Sequence, residues 1–237
     1  IANLLPLEKE EFVANVLTVR EFAENQHFFF ATRSGMVKKS SAALYEKCRK
    51  SGLIALSIKD DDELIAVHQV EESDTIVLAT KMGMAIRFSC QDVRSMGRGA
   101  SGVKGISLRK NDEVVSCLPI KDDDNTTEIM SISELGYGKR TCVELYRRQN
   151  RGGIGIINFK VSPKTGNVIG SIPVTDEDSL ILLTSTNKII RLGVKEISSY
   201  GRATMGIRLV SLDDNATVVG YDTVPTGKGD EDGADTE

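Results

Sequence analysis

The chain has 237 residues, 40% hydrophobic but only 5% aromatic, with 21 Gly and no Trp. A core of that composition is built from Val, Ile and Leu, which favours β-branched strand packing and tight turns over an aromatic-rich enzyme pocket. The net charge of −4 argues against a nucleic-acid partner only until it is located: residues 226–237 hold five acids and one Lys, so the rest of the chain is close to neutral.

In chain order, Ile1–Val16 aligns with Leu53–His68, with Glu11-Phe12-Val13-Ala14 over Glu63-Leu64-Ile65-Ala66. Residues 1–24 therefore read as the second half of a truncated blade, and an opening at Ile1 without Met reads as a piece of something longer. A repeat then begins. A short apolar strand runs into Thr or Ser, then two residues, a Gly, three residues and a basic residue. The first copy is Phe28 to Gly35, reaching Lys39, and the second is Ile76 to Gly83, reaching Arg87. The third is Ile129 to Gly136, reaching Arg140, and the fourth is Leu180 to Asn187, reaching Arg191. Gly35, Gly83, Gly136 and Asn187 share one slot, and these residue types tolerate positive φ, so each copy predicts a β-hairpin.

A Gly-rich turn and two more strands complete each repeat. The expected pairs are Leu53–Ile58 with Leu64–Val67 and Val103–Leu108 with Val114–Cys117, then Ile154–Phe159 with Val168–Ile172 and Gly206–Val210 with Thr217–Tyr221. Helix is confined to short turns over Ser41–Lys47, Gln91–Arg94 and Val194–Ser198. The expectation is an all-β fold, a β-pinwheel or propeller-like repeat of four-stranded blades. Four blades occupy 25–224, and 225–237 form an acidic disordered tail.

Basic residues keep step with the repeat. Lys39, Arg87, Arg140 and Arg191 lie seven residues after the Thr or Ser, and Lys50, Arg98, Arg151 and Arg202 lie eleven further on. Equivalent positions in successive blades share one circumference, so they predict a belt able to follow a bent polyanion. Lys38 and Lys139 extend it in their own repeats. The densest stretch is Tyr146-Arg147-Arg148-Gln149-Asn150-Arg151-Gly152-Gly153-Ile154-Gly155. Its guanidiniums suit phosphate oxygens, and its glycines are expected to let backbone N–H groups approach the DNA. The bland alternative is a solvated rim of Lys and Arg, with β-turns that happen to carry Arg.

That stretch resembles the box Gln-Arg-Arg-Gly-Gly-Lys-Gly that defines the DNA gyrase A-subunit family. Gln149, Arg151, Gly152, Gly153 and Gly155 match, while Asn150 and Ile154 replace Arg and Lys. Gly136-Tyr137-Gly138-Lys139-Arg140-Thr141, Gly35-Met36-Val37-Lys38-Lys39-Ser40 and Met96-Gly97-Arg98-Gly99 are similar to blade signatures of the same type IIA topoisomerase family. The resemblance implies a carboxy-terminal domain that wraps duplex DNA around a basic rim and supports ATP-dependent negative supercoiling by a parent enzyme. Its implied partners are duplex DNA, the A-subunit core and the B subunit. ATP and Mg2+ belong to the parent enzyme, and no cofactor is expected in this segment. The family box lies in a first blade that this chain lacks, so the box-like loop is a related later copy. The carboxy-terminal domain of the topoisomerase IV A-subunit is the alternative within the family. A propeller that binds proteins is the alternative outside it.

Other chemistry finds little support. Cys48, Cys90, Cys117 and Cys142 occur singly, and His27 and His68 fit strands better than ligand sets, so a zinc site and a disulfide framework are not expected. The Asp60–Asp62 and Asp122–Asp124 runs lack an EF-hand pattern, and there is no P-loop. No catalytic residue is expected here. No apolar run spans a bilayer and no signal peptide is visible, so the expected location is the bacterial cytoplasm, at the nucleoid. The acidic tail is open to two readings: a competitor with DNA for the rim, or a solubilising end.

Overall fold

Each repeat starts with a hairpin whose turn holds the residue anticipated for it. In the computed structural model, which describes residues 11–23, 25–48, 52–59, 61–122, 124 and 126–225, φ is +83°, +79° and +76° at Gly35, Gly83 and Gly136, and +61° at Asn187. The first repeat gives strands β1 (His27–Thr32), β2 (Met36–Ser41) and β3 (Leu64–Val70). The second gives β4 (Thr75–Thr80), β5 (Met84–Ser89), β6 (Val103–Lys104) and β7 (Val114–Ile120). The third gives β8 (Glu128–Ser133), β9 (Tyr137–Cys142), β10 (Ile156–Ile157) and β11 (Val168–Val174). The fourth gives β12 (Asp178–Thr184), β13 (Ile189–Gly193), β14 (Ile207–Arg208) and β15 (Val218–Pro225). One-turn 3-10 helices follow the second strand of each hairpin, at Ala42–Tyr45, Cys90–Asp92, Val143–Leu145 and Val194–Glu196.

The sheets correct one expectation. Their orders are β3-β1-β2-β6, β7-β4-β5-β10, β11-β8-β9-β14 and β15-β12-β13. The segments that begin at Val103, at Ile156 and at Ile207 therefore pair with the preceding repeat's hairpin, not with the later strand of their own. Each contributes only two residues, and a close approach makes the exchange possible. Gly155 has φ +80°, and a Cβ there would collide with the carbonyl of Ala85 on β5. No strand forms over the described residues 53–58, expected to pair with Leu64–Val67, or over 11–23, part of the expected half-blade 1–24. Leu17, Val19, Ala55 and Leu56 instead pack on Phe28, Phe30 and Ala42 of the first blade.

The exchange threads the blades together, and apolar layers lie between them. Phe29, Ile76, Leu78, Ile86 and Phe88 join one buried cluster, while Val77 of the same β4 joins Leu118, Ile129 and Tyr146 in another. Alternate side chains leave opposite faces of a strand, so β4 is buried on both sides, as an inner blade requires. Met130, Ile132, Leu180 and Leu182 form the corresponding layer between the last two sheets. Each such side chain contributes roughly 1.5–3 kcal/mol on burial.

Candidate nucleic-acid interface

The loops after the second, third and fourth 3-10 turns are each clamped to the hairpin of the repeat before. The N–H groups of Met96, Gln149 and Tyr200 donate to the carbonyls of Lys39, Arg87 and Arg140 at 2.8, 2.8 and 2.9 Å. The loops therefore sit at the same place on successive sheets and step round the assembly with the blades. Arg94, Arg147 and Arg148 are exposed on them, and Arg98, Arg151 and Arg202 are half-buried.

Arg151 shows how such a loop is seated. Its Nε donates to Asp92 O at 2.9 Å and its Nη1 to Lys104 O at 3.0 Å. Arg202 repeats the second contact one blade on, with Nη1 donating to Ile157 O at 2.8 Å. Gly152 N–H donates to Gly105 O at 2.6 Å and Ser107 N–H to Gly153 O at 2.8 Å, so Gly152 and Gly153 are stitched to the preceding repeat. The Gly152 N–H, expected to face DNA, is thus spent inside the fold. Arg148 pairs with Asp122, and with its side chain 54% exposed the pair is open to competition from another anion.

The seven-residue offset has a different meaning from the one expected. Lys39 is buried, with Nζ donating to Cys90 O at 3.0 Å and to both oxygens of Glu72 at 2.7 Å. Arg87 is also buried, with Nη1 donating to Val143 O at 3.1 Å and to Tyr146 O at 3.5 Å, and Nε donating to Thr75 Oγ1 at 3.2 Å. Burial lowers its pKa. Arg140 is largely covered and engages Glu128 and Asp176. These side chains hold the following repeat's 3-10 turn or a neighbouring carboxylate, so Lys39, Arg87 and Arg140 do not line an exposed rim as expected. Lys38 is covered by the segment that holds Ala55 and by the Arg98 loop, and Lys139 by the Gly201–Arg202 loop, so both are fully buried as well. Arg191 is exposed on β13, and Lys50 lies outside the described residues.

The surface that remains is the row of loops. Sequence reasoning missed Arg94, although it lies seven residues after Arg87 as Arg147 lies seven after Arg140. His27 and His68 lie in β1 and β3, and among the described residues no group of three His, Cys, Asp or Glu is placed to hold a metal.

A family model described as the DNA gyrase C-terminal domain, beta-propeller, matches residues 26–71, 74–121, 127–175 and 178–224. The chain belongs to the DNA gyrase C-terminal domain family. The DNA gyrase A-subunit of Lawsonia intracellularis is 63% identical over 94% of this chain, and that of Staphylococcus epidermidis is 41% identical over 92%. The chain spans only 27% and 24% of those relatives. A solved DNA gyrase A C-terminal domain superposes with a TM-score of 0.82 at 26% identity, covering 93% of this chain and 73% of that one. The C-terminal domain of a DNA topoisomerase IV gives 0.87 at 26% identity, covering 95% of this chain and 70% of that one. The four family matches fall one to a repeat, each beginning at or just before the hairpin.

Proposed function

We propose that this gyrase-family domain binds duplex DNA along the row of loops carrying Arg94, Arg98, Arg147, Arg148, Arg151 and Arg202, with Arg191 on β13, and bends the duplex around the blades. The observation that carries the reading is the repeated clamp, which presents an Arg-bearing loop at the same place on three successive sheets. Guanidiniums spaced along a curved path match phosphates of a bent duplex, and such contacts are nearly indifferent to base sequence. In the parent enzyme, the wrap delivers a DNA segment to the A-subunit core, where the B subunit's ATP hydrolysis with Mg2+ drives negative supercoiling. The parent acts in the bacterial cytoplasm. No described helix is long and apolar enough to cross a membrane. The box-like Gln149–Gly155 loop and the 63% identical relative favour gyrase over topoisomerase IV.

Wrapping is tested by sealing nicked circular DNA in the presence of the chain. Constrained writhe shifts the linking number in proportion to bound protein. A linking number unchanged from low to saturating protein contradicts wrapping.

A further inference from the structure

Two of the lysines expected on the rim stand behind it. We propose that Lys139 and Lys38 are positioning residues for Arg202 and Arg98, each holding from inside the fold the main-chain carbonyl of the arginine that the next repeat presents. The inference rests on the DNA-binding reading of these loops and adds what sets their geometry.

Lys139 is fully buried on β9. Its Nζ donates to Arg202 O and Gly201 O at 2.8 Å each, and to Thr141 Oγ1 at 2.9 Å. Thr141 Oγ1 donates on to Tyr200 O at 2.9 Å, so one ammonium and one hydroxyl hold three consecutive carbonyls of the loop. An ammonium has three N–H bonds, and all three are used. Lys38 occupies the equivalent place on β2. Its Nζ donates to Arg98 O and, at 2.6 Å, to Ala55 O. In the intervening repeat the same position is Ile86, and the loop above it is the Gly152-Gly153-Ile154-Gly155 run, with a Cβ at Gly153 only 3.6 Å from Ile86 Cδ1. Loops seated on lysine and a glycine-rich loop seated on isoleucine thus alternate along the row.

Every acceptor of Lys139 is a neutral oxygen. The charged group facing it is Arg202, and the titratable one is the Tyr146 phenol, pushed up by burial and set near Thr141 and Arg202. Glu128 and Asp176 engage Arg140, which leaves the opposite face of the strand. Burial first, then the Arg202 charge, brings the Lys139 pKa down to about 7. A neutral amine has two N–H bonds, so one of the three acceptors, two on the loop and one the Thr141 hydroxyl that holds the loop in turn, loses its donor as pH rises through that value. Global stability moves the other way. The unfolded chain binds this proton up to about pH 10.4, so the lowered folded pKa costs stability below about 7, and the cost fades as pH rises from 7 to 10.

The test combines Lys139→Met, which keeps length and apolar stem, with Arg202→Ala. DNA affinity is read at low salt, at pH 6 and pH 8, and amide hydrogen exchange is followed at residues 200–204. The expected results are about tenfold faster exchange in K139M, a several-fold loss of affinity in each single variant, and little further loss in the double variant. The wild type binds DNA less well at pH 8 than at pH 6, and K139M loses that difference. Full additivity of the two substitutions overturns the proposal, as does exchange unchanged in K139M. If R202A leaves affinity unchanged while R147A weakens it, the positioning role is overturned and DNA binding survives. If no variant alters DNA binding, both readings fall.

Discussion

Arg87 is where a rim contact and an internal clamp make opposite predictions. Its side chain is nearly inaccessible, and Arg87→Ala removes the donor to two buried carbonyls, Val143 O and Tyr146 O, and to Thr75 Oγ1. Val143 O keeps the Tyr146 N–H at 2.9 Å, so the carbonyl that loses its donor is Tyr146 O, at about 1–3 kcal/mol, and the vacated stem adds a cavity term. Relief of the desolvated cation and rotation of the Thr75 hydroxyl offset part of this, leaving about 3 kcal/mol. At roughly 2–4 °C per kcal/mol for a chain this size, the melting temperature falls by about 6–12 °C. Thermal unfolding followed by circular dichroism measures it, with Arg147→Ala as the exposed control, expected within about 0.5 kcal/mol of wild type. The salt dependence of DNA binding by folded Arg87→Ala stays as in wild type. A melting temperature unchanged by Arg87→Ala, together with a flatter salt dependence, refutes the clamp and restores Arg87 to the rim.

Gly155→Ala forces a side chain into positive φ and against the Ala85 carbonyl, so it costs about 2 kcal/mol or more, read from urea unfolding. Burial pushes the Cys90 thiol up to about 11 and Cys117 higher still, so a thiol reagent at neutral pH reaches exposed Cys48 first, and Cys90 and Cys117 only after unfolding. Side-chain and main-chain hydrogen bonds from Thr127 and Thr126 hold the Asp124 carboxyl down to about 2. The turn's contribution is therefore complete above the unfolded pKa of about 4 and is lost as pH falls toward 2, which a carboxyl NMR titration follows.

The hairpins were legible because their turn demands a residue type: Gly35, Gly83, Gly136 and Asn187 all occupy positive φ. The strand exchange was not. Val103 keeps the same spacing whether it pairs with β7 or with β2, and only the approach of Gly102 to the Val37 carbonyl decides. The basic positions were legible as a pattern and misread as a surface. An arginine that clamps the next repeat recurs with the same period as one that meets a phosphate. The available clue was adjacency: Lys139 and Arg140 must leave opposite faces of a strand, and an inner blade has both faces covered. Of the loop residues, Arg147 and Arg148 are exposed and Arg98, Arg151 and Arg202 are half-buried, while the Gly152 N–H is consumed by the preceding repeat.

The central claim is that phosphate binding resides in the exposed loop arginines. The most direct measurement is duplex DNA affinity against salt, for the chain and for an Arg147/Arg148→Ala variant. The account predicts a steep slope of log affinity against log salt that falls by about 2 in the variant. An identical slope in both proteins, or no binding at the lowest salt, contradicts it.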